Sequence, residues 1–141
     1  MSTLKVTNVK HETSGINTLV FDNGGGSGNG RVTTKGTIGE ISAVSYASTL
    51  TLDFRTANNF STTLTGNTTF ANPSNISAGQ SGVIFITQDG TGSRTAAFGS
   101  YWDFSDGTAP TLSTGANQVD VIAWIARTNT NIAAQFIGNF S

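Results

Sequence analysis

The chain has 141 residues, enough for one domain with a buried core but with little room for a second domain. Its 7 Lys+Arg and 8 Asp+Glu give a formal net charge of −1, so no basic field exists to attract nucleic acid or an anionic membrane, and we expect neither partner. Cysteine is absent, which excludes disulfides and thiolate metal sites, and the abundance of Thr, Ser, Asn and Gly favours strands and tight turns over helices.

The pattern of residues 1–23 predicts a small β-hairpin, here called the arm. Two alternating stretches, LKVTNV and NTLVFD, flank the turn sequence KHETSG. A lone two-stranded hairpin cannot bury its apolar side, so these residues require a neighbouring surface. We therefore predict an assembly interface formed by the apolar side chains of this arm, which are Leu4, Val6, Val9, Leu19 and Phe21.

Residues 24–35 form the predicted glycine-rich linker between the arm and a domain spanning 36–141. The segment GGGSGNG at 24–30 cannot hold regular structure. It contains neither GxGxxG nor GK[ST], and no helical pattern follows, so a nucleotide-binding loop is disfavoured. The opening MSTLKVTNVK lacks the apolar stretch of a secretory leader, and we expect the protein to be made and folded in the cytosol.

Strand signals recur throughout the main domain, separated by short turn sequences. No stretch of useful length has the 3.6-residue period of a helix. VDVIAWIA is apolar at nearly every position, as expected of a strand covered on both faces. The spacing predicts an all-β fold, an antiparallel β-sandwich of jelly-roll type. The predicted strands are TLTLDF (49–54), NFSTTLT (59–65), TTFA (68–71), SGVIFITQ (81–88), SRTAAFGSYW (93–102), VDVIAWIA (119–126) and NIAAQFIGNF (131–140).

The stretch QDGTGSRT at 88–95 could cradle a phosphate or form a turn. An anion-binding loop needs a following helix whose N-terminus points at the anion, and SRTAAF is not helical. Asp89-Gly90 is instead a strong hairpin-turn pair, and we expect a positive φ at Gly90 or Gly92. In this interpretation Arg94 braces a neighbouring acid or carbonyl and binds no substrate.

Catalytic chemistry finds little support in the sequence. The single histidine, His11, lies in the arm, far along the chain from any nucleophile pattern. Asp103 and Asp106 are too few acids for a typical Ca²⁺ loop. Tyr101 and Trp102 could stack on a sugar, although core packing is the simpler interpretation of Trp102. We expect no catalytic, cofactor or metal site, and we keep Tyr101, Trp102, Asp103 and Asp106 as a candidate ligand-facing loop.

Several motifs resemble a β-domain found in tail-fibre and other appendage proteins of tailed bacteriophages, many of them marine or cyanobacterial phages. The similarity covers roughly residues 48–141, and the first 20 residues more loosely resemble the beginnings of small phage structural proteins. The matching motifs are G-x-x-T-x-x-N-P at 66–73, Q-D-G-T-G-x-R-T at 88–95, a tryptophan at 102, T-A-P-T-L-S-T at 108–114 and V-D-V-I at 119–122.

The resemblance implies a non-enzymatic virion structural protein, assembled in the host cytoplasm and attached to the exterior of the particle. Two placements stay open, a capsid decoration (cement) protein or a small tail or fibre component. The alternative is a receptor- or glycan-binding module of a tail fibre, with a host surface glycan as ligand. The resemblance further implies a homotrimer that contacts other capsid or tail proteins. Tail-spike enzymes have a longer repeated β-scaffold, and this chain shows no 20–50-residue sequence repeat.

Overall fold

The computed structural model describes residues 38–140. Within this range the fold is all-β, and the helical structure is confined to a single 3₁₀ turn at Ser105–Gly107. No helix in the described range is long and apolar enough to cross a membrane. The strands are β1 (Ile41–Ala43), β2 (Thr49–Leu50), β3 (Asn59–Leu64), β4 (Thr68–Phe70), β5 (Ser81–Gln88), β6 (Ala96–Phe98), β7 (Trp102–Phe104), β8 (Val119–Thr128) and β9 (Asn131–Phe140).

The first six strands wind as three coils of a short β-solenoid. The chain alternates between a six-stranded sheet, β1-β3-β5-β8-β9-β7, and a three-stranded sheet, β2-β4-β6. Each strand therefore lies parallel to the strand one coil earlier. In the larger sheet Ile41 lies opposite Asn59, and Asn59 lies opposite Val83. In the smaller sheet Thr49 lies opposite Thr69, and Thr68 lies opposite Ala96.

An antiparallel hairpin follows the three coils. β8 runs antiparallel to β5, with Ile84 opposite Ile122, and β9 folds back along β8. β7 then joins the outer side of β9 in parallel. Because the pairing direction changes at β8, the stacking of parallel coils stops there.

The hydrophobic core lies between the two sheets and consists of side chains stacked from coil to coil. Leu50, Phe70 and Phe98 share one register in the smaller sheet, and the rings of Phe70 and Phe98 lie 5.3 Å apart. At the other side Phe54 stacks on Trp124 at 4.1 Å. Complete burial of such side chains contributes about 1.5–3 kcal/mol each. The core also contains Leu52, Phe60, Leu64, Ile76, Ile84, Ile86, Trp102, Leu112, Ile122, Ala126, Ile132 and Ala134.

The all-β prediction is confirmed, but the prediction of antiparallel pairing is wrong for most of the fold. Five of the seven strand ladders in the described residues are parallel, and only β5–β8 and β8–β9 are antiparallel. A jelly roll is built from antiparallel pairs, so these ladders do not confirm it. The physical reason is that alternation reports which face a residue occupies and carries no information on strand direction. The connections from β1 to β7 cross between the sheets and do not make hairpins, whereas the short connection from β8 to β9 does.

Candidate functional site

A mainly apolar depression lies on the outward side of the larger sheet, at its β7–β9 edge. Its volume is about 570 Å³. Exposed Ile125 and half-buried Ala123 and Ala133 supply apolar surface, while Asp103, Ser105 and Gln135 supply polar groups. Phe104, Trp124 and Ala134 complete the lining. The depression therefore combines apolar side chains with a few hydrogen-bonding groups.

β7 separates two of the predicted ligand-facing residues onto opposite sides of the sheet. Trp102 is 6% exposed, and its indole Nε1 donates to the carbonyl of Ala71 at 3.1 Å. Its ring packs edge-on against Phe54 and Phe98 in the core. The adjacent Asp103 points outward and is exposed. Trp102 is therefore a core residue, as the simpler interpretation held, and cannot serve as a sugar platform.

The remaining members of the predicted loop are dispersed. Tyr101 is half-buried and packs against the core cluster, so it does not project as a free aromatic face. Asp106 is exposed in the 3₁₀ turn, where it has a φ of 58°. Within residues 38–140, no group of three or more His, Cys, Asp or Glu residues could hold a metal ion.

Asp103 is the predicted residue that reaches the depression. Its carboxylate accepts a hydrogen bond from Asn131 Nδ2 and lies 3.7 Å from Arg127 Nη1. Ser105 Oγ donates to Gln135 Oε1 at 3.2 Å on the same rim. These groups bond mainly to one another, which gives the rim a fixed polar edge. The arrangement can orient a neutral or weakly polar surface, but it offers no nucleophile with an adjacent base.

The QDGTGSRT segment forms a corner between the two sheets, because β5 and β6 belong to different sheets. The predicted hairpin is therefore wrong, although the turn itself is confirmed. Asp89 accepts from the backbone N–H groups of Thr91 and Gly92 at 3.0 and 2.9 Å. Arg94 binds the same carboxylate through Nε and Nη2, with a shortest distance of 2.8 Å. The N–H groups that a phosphate would need are thus already occupied.

Electrostatics and backbone geometry both stabilise this corner. The Arg94 guanidinium holds the pKa of Asp89 below its ordinary value, helped by the two backbone N–H groups and opposed by partial burial. Gln88, 1% exposed, donates to the Arg94 carbonyl and accepts from the Arg94 N–H. Gly92 has a φ of 73°, as expected for one of the two glycines, whereas Gly90 does not have a positive φ. The segment therefore has a structural role, which is to hold the corner between the two sheets.

Sequence reasoning missed a second structural carboxylate, Asp120. It is 1% exposed, and it accepts from the N–H of Ser113 at 2.8 Å and from the N–H of Asn139 at 3.0 Å. These bonds tie the loop before β8 to the end of β9. The available signal was a lone acid at an inward position of an otherwise apolar strand. Such a residue must be hydrogen-bonded to be tolerated.

The predicted arm lies outside the described residues. The linker at 24–35 and the five candidate interface residues of the arm therefore stay predictions. These residues are Leu4, Val6, Val9, Leu19 and Phe21, and the histidine His11 lies in the same segment.

The chain was compared with protein families, curated proteins and solved structures. A family model described as "Putative phage tail fibre C-terminal domain" matches residues 32–130, which include β1 to β8. No curated protein matches the chain, and no solved structure matches it.

Proposed function

The chain belongs to the phage tail fibre C-terminal domain family, and on that premise we propose that it is a non-enzymatic structural component of the tail, exposed on the virion. The observation that carries the proposal is the family match, which covers most of the chain and nearly every strand of the described fold. Among the placements that the sequence left open, membership favours the tail over a capsid decoration role. Other phage tail proteins are the expected partners.

We infer a homotrimer in which residues 1–23 attach the protein to the particle. The three-fold symmetry is carried from the resemblance to phage fibre proteins. The attachment role rests on the apolar side of the arm, represented by Leu4 and Phe21. Burial of such side chains against a neighbour contributes roughly 1.5–3 kcal/mol each, less the cost of ordering the arm.

Location and copy number in purified virions test the proposed function. Gold-labelled antibodies against the purified chain should decorate the tail, and quantitative mass spectrometry should give a few to tens of copies per particle. Hundreds of copies distributed over the head would instead support the decoration role and contradict the tail assignment.

The alternative is a receptor- or glycan-binding module. Asp103, Ser105 and Gln135 at the rim of the depression support it, because sugars are bound through several such polar groups around an apolar surface. The burial of Trp102 weighs against it, since an exposed aromatic face is missing from that loop. Binding of host cells by the purified chain, abolished in Asp103→Ala and retained in Asp106→Ala, would favour the alternative.

The non-enzymatic part of the proposal has a separate test. The corner at 88–95 uses its polar groups internally, and the rim of the depression offers no paired nucleophile and base. Incubation with host polysaccharide should therefore release no reducing sugar. Release that disappears in Asp103→Asn or Asp106→Asn would contradict the proposal.

A further inference from the structure

A second depression lies at the opposite edge of the larger sheet, where the chain leaves β3 after β1, and is here called the hydroxyl depression. Its volume is about 420 Å³, within the range of about 300–1,000 Å³ that small-ligand sites have. The described residues that line it include no acidic or basic side chain. Every polar residue of the lining carries a hydroxyl group, and these residues are Ser45, Tyr46, Ser61, Thr62, Thr63 and Thr87.

The serine and threonine hydroxyls of this depression are available to a ligand. Ser45 and Thr63 are exposed, and Ser61 and Thr87 are half-buried. In residues 38–140 the serine and threonine hydroxyls that bond to other side chains lie elsewhere, for example that of Ser105. The hydroxyl depression thus differs from the depression at Asp103, whose rim groups bond mainly to one another.

Thr62 is an independent sign that this depression takes a polar ligand. Thr62 is 6% exposed, and its Oγ1 has no hydrogen-bond partner among the described residues. A buried hydroxyl without a partner destabilises the fold, so its presence beside a depression requires an explanation. A hydrogen-bonding ligand, or a water that the ligand holds in place, supplies the missing partner.

The backbone of Thr63 adds a donor and an acceptor. The ladder between β1 and β3 ends at the pair Ala43–Ser61, and the N–H of Val44 makes its last bond, to the carbonyl of Ser61 at 2.8 Å. Backbone groups of alternate residues in a strand point to the same neighbour, so the N–H and C=O of Thr63 point to the side that the chain has left. Within residues 38–140 no other backbone group bonds to them.

Tyr46 forms a fixed wall of the hydroxyl depression. Its hydroxyl donates to the Asn67 carbonyl at 3.1 Å, and a Cβ at Gly66 would lie 2.5 Å from the same hydroxyl oxygen. The glycine therefore leaves the space that the tyrosine occupies. The ring adds apolar surface to a polar lining, which is the combination that small-ligand sites use.

We propose that the hydroxyl depression binds a neutral saccharide. A serine or threonine hydroxyl both donates and accepts, as the hydroxyls of a sugar do, and Thr63 adds a fixed donor beside a fixed acceptor. A carboxylate or phosphate ligand would find no cation in the lining, and an apolar ligand would leave these polar groups unpaired. The inference goes beyond the proposed structural role and does not depend on where the chain lies in the virion.

Saturation-transfer NMR on the full chain tests the proposal. The probes are the methyl glycosides of glucose, galactose, mannose and N-acetylglucosamine, with the corresponding uronic acids as charged controls. At least one neutral glycoside should bind with a Kd of about 1–10 mM, and its uronic acid should bind more weakly.

Matched threonine variants locate the site. The double variant Thr63→Val/Thr87→Val removes two hydroxyls from the depression and should raise Kd by at least about fivefold. Thr49→Val/Thr69→Val makes the same change on the smaller sheet and should leave Kd unchanged, as should Asp103→Ala. Circular dichroism verifies that all the variants are folded.

Amide hydrogen exchange provides a readout at the backbone of the site. In the ligand-free chain the N–H of Thr63 should exchange rapidly, because it is unpaired, and a glycoside at about ten times its Kd should slow this exchange severalfold. The N–H of Thr62 lies in the ladder with β5 and should be protected in both states.

Four outcomes would overturn the inference. The first is that no neutral glycoside binds at concentrations up to about 50 mM. The second is a Kd that does not change in Thr63→Val/Thr87→Val, and the third is binding that is lost in Asp103→Ala, which would assign the sugar to the other depression. The fourth is a Thr63 amide that is protected in the ligand-free chain. A chain that binds no sugar but is located on virion tails would overturn this inference alone, whereas a sugar-binding chain located on the head would overturn only the proposed function.

Discussion

Replacement of Gly92 by alanine should destabilise the fold by about 2–5 kcal/mol. The backbone there has a φ of 73°, which costs an L-residue about 1–2 kcal/mol. A Cβ would also lie 2.4 Å from the Thr114 carbonyl oxygen and 2.9 Å from the Ala116 nitrogen. Both are backbone atoms, so relief requires movement of the loop before β8, and overpacking of this kind costs about 1–3 kcal/mol more.

Two further glycines separate these contributions. Gly107 has a φ of 66° with no atom within 4 Å of an added Cβ, so Gly107→Ala should cost only the conformational part, about 1–2 kcal/mol. Gly90 has open space and no positive φ, and Gly90→Ala should be neutral or slightly stabilising. Urea unfolding followed by circular dichroism measures the free energy of unfolding of all three variants. In thermal unfolding, Gly92→Ala should lower Tm by at least about 5 °C. A free energy of unfolding for Gly92→Ala within about 0.5 kcal/mol of Gly90→Ala would refute the reasoning.

Three other predictions concern the buried carboxylate, the corner ion pair and the arm. Asp120→Ala leaves two backbone N–H groups without an acceptor and should lower the free energy of unfolding by about 2–4 kcal/mol. The loss for Asp120→Asn should lie between those of wild type and Asp120→Ala. A loss below about 0.5 kcal/mol for Asp120→Ala would show that water replaces the carboxylate. The pKa of Asp89 is lower in the folded state, so its stabilisation is present above about pH 4 and is lost as the pH falls through the folded pKa. The Tm difference between wild type and Asp89→Asn should therefore shrink on acidification, and a constant difference would contradict the role of Arg94. Deletion of residues 1–23 should leave a folded β-domain that no longer attaches to virions, and normal attachment would contradict the predicted arm.

Most strands of this fold were predictable, whereas their partners were not. The predicted strand at 93–102 is wrong, because it is divided between β6 and β7 in different sheets, and β1 was not predicted. SGVIFITQ became β5 with the predicted bounds, and the apolar run at 119–126 became most of β8. Alternation and β-branched composition identify such segments locally. The neighbour of a strand depends on where the chain travels next. The connection at 65–67, for example, crosses from β3 in the larger sheet to β4 in the smaller one, and no local pattern reports that crossing.

The solenoid left no visible repeat because its coils differ in length. In the larger sheet the offset between paired residues is 18 from Ile41 to Asn59 and 24 from Asn59 to Val83. The corners absorb the difference, so no fixed period survives in the sequence. Trp102 was placed correctly in the core because its size favours burial, whereas the role of Asp120 depends on two distant N–H groups that only the fold brings together.

The change of direction at β8 has a consequence for folding during synthesis. A parallel coil can pair only after the whole corner between its strands has been ordered. The edge of β5 that pairs with β8 then keeps unpaired backbone groups until β8 is synthesised, about 30 residues later. β8 and β9 are separated by two residues, so they can pair with each other within microseconds. The nascent chain thus carries an aggregation-prone strand edge for a few seconds at ordinary synthesis rates, and the fast C-terminal hairpin is the element that protects it.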